Sequence, residues 1–190
     1  MQGDIRIEDA YPLLPAQRGF LVDSLAGEED RYRQQICVEV SLPIPALKNN
    51  IQELVARNKI LRTIFDWSDG EPVQVVIDGI NPSINMFSIP EDGILSLLLT
   101  QEKGALRPVS DAPPIRFAII QDGRKVFLAV TYHHILLDGP SVNLLLEQVL
   151  TANYLPEVPA SVYHEWFEQN ISENEYAVWR DLLSGIDRQS

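Results

Sequence analysis

His133 and His134 stand where the apolar run Val126–Tyr132 gives way to a loop, and Asp138-Gly139 follows just before a helical pattern opens. An imidazole titrates near pH ~6.5, so either ring could take or give a proton at neutral pH without a large shift. A strand end fixes such rings while the loop beyond it exposes them, a placement suited to catalysis. Asp138 could hold the neighbouring turn by pairing with an arginine, and Gly139 would let another backbone or a substrate approach closely. The same residues admit plainer roles. A histidine pair at a strand end can be structural, and Asp138-Gly139 can be a turn ahead of a helix. Residue types alone leave both readings open.

Other chemistries find less support. A metal site needs three or four ligands, and the remaining histidine, His164, belongs to a separate helical segment, so no metal is expected. No Gly-rich phosphate loop, G-x-S-x-G or C-x-x-C occurs. Cys37 lies in mid-strand with nothing marking it as activated, and as a lone cysteine it offers no internal disulfide.

The elements that must position the histidines follow from hydrophobic period. Lys125–Tyr132 pairs with Ile115–Gln121 across Asp122-Gly123, a hairpin signal, and runs directly into His133. Beyond Gly139, the spacing of Val142, Leu145, Leu146, Val149 and Leu150 marks an amphipathic helix. Gln35–Leu42 alternates as a half-buried strand, with Ile36, Val38, Val40 and Leu42 on one face. Ala46–Asn58 switches to helical spacing at Leu47, Ile51, Leu54 and Val55. Strands Arg62–Trp67 and Pro72–Ile77 flank a turn at Ser68–Glu71. Glu91–Leu106 reads as a helix ending near Gly104, and helices at Ser161–Gln169 and Ser172–Leu183 form a tail from about residue 160, after a hinge at Pro156 and Pro159. Without a regular βαβ beat, the expected class is α+β in one layered domain over residues 1–190.

Bulk properties bound the partners. A formal charge of −12 argues against nucleic acid, which needs clustered Lys and Arg. The acids crowd toward the end (Glu165, Glu168, Glu173, Glu175) and read as a solvated helical surface. No stretch reaches the roughly 20 apolar residues of a membrane helix, and the start, Met1-Gln2-Gly3-Asp4, has no secretory pattern. A cytoplasmic protein is the expectation.

His133-His134-Ile135-Leu136-Leu137-Asp138-Gly139 matches the HHxxxDG signature of nonribosomal peptide synthetase condensation domains and the wider chloramphenicol acetyltransferase-like group. Two further segments match in order. Tyr11–Leu21 resembles the opening motif, whose Gln (Gln17) begins the first helix, and Arg57–Phe65 resembles the second, commonly R-H-E-x-L-R-T-x-F. Gly70–Val76, Tyr163–Trp166 and Tyr176–Leu183 are also similar to family segments. The resemblance covers nearly the whole chain. It implies a chloramphenicol acetyltransferase-like half domain, with a mixed, largely antiparallel sheet flanked by helices.

It also implies roles. His134 would sit where a donor acyl thioester meets an acceptor amine, each delivered on the phosphopantetheine arm of a peptidyl carrier protein, with no cofactor bound directly. Whether His134 acts as base or as positioning group stays open, since a free amine needs little activation. Gly139 would lie close to the thioester and amine, and His133 would be scaffold. Asp138 would point away from substrate and pair with Arg62, with Arg116 as a competing partner.

The sequence also departs from the pattern. Pro140 replaces a frequent Trp, Asn58-Lys59 replaces His-Glu, and Arg107-Pro108-Val109-Ser110 is an altered Arg-Pro-Phe-Asp. The family's second lobe, with its Asp-Phe-Gly-Trp-Gly segment, has no counterpart. The expectation is therefore an N-terminal lobe, inactive by itself. Three alternatives are a non-catalytic module that docks on a carrier, a second lobe or itself, a free-standing acetyltransferase assembled as an oligomer, and an H-x4-D glycerolipid acyltransferase. The third lacks any interfacial helix.

Overall fold

In the computed structural model, which describes residues 6–26, 31–68, 70–89, 94–158, 160–170, 178, 180–182 and 184, the chain divides into two units, Met1–Glu157 and Val158–Ser190. The first contains β1 (Ile7–Pro12), α1 (Pro15–Ala26), β2 (Arg33–Val40), α2 (Ile44–Arg57), a 3-10 turn (Lys59–Arg62), β3 (Thr63–Asp66), β4 (Val73–Ile77), β5 (Ile84–Ile89), α3 (Leu95–Gly104), β6 (Ile115–Asp122), β7 (Lys125–His133) and α4 (Gly139–Thr151). The second contains α5 (Ala160–Asn170). The helix expected over Ser172–Leu183 falls largely outside the described residues, as do the first residues of that expected over Glu91–Leu106.

Two sheets form. One runs β1-β4-β3 and the other β2-β7-β6-β5. All pairings are antiparallel except β5 with β6. The α+β class and the largely antiparallel, helix-flanked arrangement agree with the sequence reading, although the strands divide between two sheets. β1 and β5 have no clear signature in the sequence. β5, α3 and β6 form a single βαβ crossover, the one place where parallel pairing enters, because a helix must bridge parallel strands.

β7 is buried on both faces, which is why its sequence is a continuous apolar run rather than an alternation. Leu128, Val130 and Tyr132 join a cluster with Leu47, Ile51 and Leu54 of α2 and Val142, Leu145 and Val149 of α4. Ala129, between them, joins a second cluster with Leu98 of α3, against which Leu95 and Cys37 pack. The sheet carrying the histidines is thus the middle of a sandwich, with α2 and α4 on one side and α3 on the other. Each fully buried Leu or Ile contributes about 1.5–3 kcal/mol, so the four buried apolar residues of α2 hold it firmly on the core. Gln35 Nε2 ties α3 to the sheet by donating to Leu99 O at 3.0 Å and Thr131 Oγ1 at 2.8 Å.

The hairpin into the site is displaced by one residue from its expected place. Asp122 pairs with Lys125, leaving Gly123-Arg124 as the two-residue loop. Gly123 has φ +55°, which the first position of such a tight turn requires.

Candidate active site

β7 ends at His133, and the backbone beyond it is pinned from both sides. His133 N–H donates to Pro114 O at 3.0 Å and His134 N–H to Tyr32 O at 2.9 Å. The loop turns tightly, with Leu136 N–H donating to His133 O at 2.9 Å. Ile135, Leu136 and Leu137 are all buried, so the three residues between histidine and aspartate anchor the loop in the core. Apolar packing thereby fixes where the imidazoles stand.

The two rings have opposite surroundings. His133 is 1% exposed. Its Nδ1 accepts from Ile135 N–H at 2.9 Å, and its Nε2 lies 3.0 Å from Ser24 Oγ. Accepting at Nδ1 leaves the ring proton on Nε2, which donates to the Ser24 hydroxyl. That tautomer cannot deprotonate Ser24, so the pair is a structural clip between α1 and the loop and not a nucleophile with its base.

His134 is half-buried. Phe20 of α1 lies parallel to it, with centroids 5.9 Å apart and planes at 19°, and Tyr132 meets it edge-on at 6.2 Å. Among the described residues no side chain or backbone group hydrogen-bonds its ring nitrogens. Behind it, Tyr32 packs edge-on against Phe20 at 4.8 Å and tilts toward His133. The Tyr32 hydroxyl is hydrogen-bonded to Asp23, and that carboxylate holds the phenol above its usual range. An aromatic cradle therefore orients the His134 ring while leaving its polar edge unclaimed.

Asp138 is exposed and caps α4. Its Oδ1 accepts from Ser141 N–H at 2.9 Å. Hydrogen bonds from the Ser141 side chain and backbone hold its carboxyl below the usual carboxylate range, and His134 adds a smaller electrostatic contribution. Pro140 falls in the first turn, where a missing N–H costs no helical hydrogen bond.

The clasp expected between Asp138 and Arg62 does not form. Arg62, 7% exposed, donates to Val55 O at 3.2 Å and Ile77 O at 3.0 Å, and pairs with Glu8 of β1. Its guanidinium is spent joining α2, β4 and β1, while Asp138 is spent on its own helix. Arg116 is no substitute, because it pairs with the buried Glu102 at 3.1 Å. Glu8 escapes sequence reasoning because β1 itself carries no strand signature.

Gly139 needs no glycine for its own fold. A Cβ there would meet nothing within 4 Å, and its φ lies outside the left-handed region. The space beside it is open.

Gln17 is a residue whose role the sequence did not reveal. From the first turn of α1 its Oε1 accepts from Leu14 N–H at 2.9 Å, the reaching-back half of a capping box. Its Nε2 donates to Gln74 Oε1 at 3.0 Å and to Ile135 O at 3.2 Å, and Gln74 donates to Pro12 O at 3.1 Å. This chain of amides joins the Tyr11–Leu21 segment and the loop after His134 to Gln74 of β4. The only available signal was a polar residue at the third position of a helix.

Cys37 packs on the α3 face, and burial pushes its thiol up, away from thiolate. Among the described residues no group of three or more His, Cys, Asp or Glu could hold a metal ion. His164 belongs to α5, in the other unit. No helix of the described residues is long and apolar enough to cross a membrane. The arrangement offers one imidazole, that of His134, held in place and unbonded at its nitrogens among the described residues.

A family model described as "Condensation domain" matches residues 7–186. A linear gramicidin synthase protein of Brevibacillus parabrevis is 30% identical over 204 residues, a match covering 96% of this chain and 4% of that protein. Bacitracin synthase 3 of Bacillus licheniformis is 27% identical over 203 residues, covering 97% and 3%. Among solved structures, the condensation domain from Monacolin K polyketide synthase MokA is similar with a TM-score of 0.79 at 17% identity, covering 95% of this chain and 45% of that one. The epimerization domain from the third module of tyrocidine synthetase B has a TM-score of 0.75 at 18% identity, covering 100% and 48%. The chain spans a few per cent of these curated relatives and under half of these solved structures.

Proposed function

The chain belongs to the condensation-domain family, and from that membership we propose that it is the N-terminal lobe of a nonribosomal peptide synthetase condensation domain with His134 at the reaction centre. Members of that family form peptide bonds. The reaction proposed here joins a donor acyl or peptidyl thioester to an acceptor amine, both held on the phosphopantetheine arms of peptidyl carrier proteins. The amine nitrogen attacks the thioester carbonyl carbon. A C–N bond forms, the C–S bond breaks, the donor carrier keeps its thiol and the amine loses a proton.

One observation carries the assignment of His134. Its ring is fixed by Phe20, Tyr132 and a pinned backbone, yet its nitrogens have no partner among the described residues. A side chain held in place and left unbonded can receive the amine proton or align the lone pair. His133 and Arg62 act as scaffold, through Ser24 and Glu8 respectively. Asp138 acts by starting α4. Gly139 leaves room for the reacting groups rather than contributing an atom.

Both substrates must be held at once, which one lobe cannot do if the channel lies between two. The chain alone is therefore expected to be inactive. In the two-lobe enzyme, His134→Ala should lower condensation by about 10²-fold or more, the usual size of an acid–base contribution, while costing no more than about 1 kcal/mol of stability. Gly139→Ala should melt like the parent but lose most turnover, because only substrate competes for that space. Full turnover in His134→Ala would sink the catalytic assignment. The docking-module alternative would then gain ground, and the exposed Val162, Tyr163 and Trp166 of α5 are the surface on which to test it.

A further inference from the structure

We propose that the Tyr132 hydroxyl is a hydrogen-bonding contact for the acceptor amine, so that Tyr132 orients the nucleophile that His134 serves. The inference rests on the His134 reading above and extends it to a second side chain.

Tyr132 lies two residues before His134, is 6% exposed as a residue and belongs to the main core cluster. The two rings meet edge-on, centroids 6.2 Å apart and planes at 79°. The hydroxyl makes no hydrogen bond to any described residue, yet it is not sealed off, since Asp122 Oδ1 is the sole buried side-chain polar atom without a partner among those residues. A core that wanted only volume here would be filled equally by Phe. The oxygen is what packing does not require, and the ring that carries it meets the ring assigned to the reaction edge-on.

The local charge selects which substrate it meets. Burial raises the Tyr132 phenol above its usual range, and the Asp138 carboxylate is close enough to add a smaller push in the same direction. The phenol therefore keeps its proton. The negative potential of Asp138 favours the amine, which arrives partly as ammonium, over a carbonyl oxygen that develops negative charge. The phenol oxygen accepts one amine N–H, His134 takes the departing proton, and the nitrogen lone pair is left to form the C–N bond as the C–S bond breaks. Tyr132 neither gains nor loses a proton.

The test uses Tyr132→Phe in the two-lobe enzyme, with a donor-loaded carrier protein and glycyl-N-acetylcysteamine thioester as soluble acceptor. The substitution fills the same core space, and an unchanged thermal midpoint checks this. The expected result is a KM for the acceptor raised about 3- to 10-fold, the size of one net hydrogen bond, with the KM for the donor unchanged. An unchanged acceptor KM, or a rise confined to the donor, overturns the proposal. His134→Ala assayed alongside keeps the two ideas apart. Its full activity would remove the His134 reading, whereas its loss together with an unaffected Tyr132→Phe enzyme removes only the amine contact.

Discussion

At His133 both ring nitrogens are occupied, by Ile135 N–H and the Ser24 hydroxyl, and the ring is sealed from water. Its neighbour is half-open and unbonded at the ring. Adjacent residues of one type therefore belong to different energetic categories. His133→Ala would orphan a buried N–H and open a cavity, costing about 2–4 kcal/mol in the 190-residue chain. His133→Asn, whose carbonyl can replace the Nδ1 acceptor, should recover part of that. His134→Ala buries nothing unsatisfied and should cost no more than about 1 kcal/mol. Urea melts of the three variants test the contrast, and equal losses at both histidines would contradict the division of labour. The sequence singled out the pair and the chemistry of imidazole, but before any resemblance it could not say which ring was scaffold. That distinction depends on Ser24 and Phe20, residues of α1 brought alongside only by folding.

Elements whose stability is local were legible, and those that borrow it from a partner were not. Leu47, Ile51, Leu54 and Val55 of α2, and Val142, Leu145, Leu146 and Val149 of α4, are buried as their spacing predicts. β7 announced itself by an uninterrupted apolar run. β1, with Glu8 and Asp9 in a mostly exposed strand, exists because β4 pairs with it, and β5 is an edge strand added in parallel to β6. The resemblance implied the pairing of Arg62 with Asp138, and without β1 the sequence does not show Glu8 as the competing partner. A double-mutant cycle measures the correction directly. Arg62→Met with Glu8→Gln should show a coupling of at least about 0.5 kcal/mol, whereas Arg62→Met with Asp138→Asn should be additive within about 0.5 kcal/mol. Asp138→Ala should cost about 1 kcal/mol, the worth of a helix cap. Because its carboxyl is depressed in the folded chain, that contribution is fully present above the unfolded value near pH ~3.9 and fades as pH falls through the lower folded value. Stability of Asp138→Asn should lack that component of acid sensitivity. A cycle coupling Arg62 to Asp138 would restore the clasp.

For the whole molecule, both hydrophobic clusters lie within residues 13–154, entirely inside the first unit. Every described side chain that fixes His134, from Phe20 and Tyr32 to Tyr132, lies there too. The division at Glu157/Val158 falls in the sequence between Pro156 and Pro159, and proline as a residue type disfavours a continuous helix or strand ladder. A first unit with its own complete core should fold without the second unit. A fragment ending at Glu157 is therefore expected to unfold cooperatively, with a midpoint within about 4 °C of the full chain, the shift that about 1 kcal/mol produces at this size. The His134 imidazole resonances in that fragment should overlay those of the full chain, because the rings that shade it are all retained. Differential scanning calorimetry and histidine-selective NMR supply the two readings. A fragment that loses its cooperative transition would overturn the claim that the core of the first unit is self-sufficient.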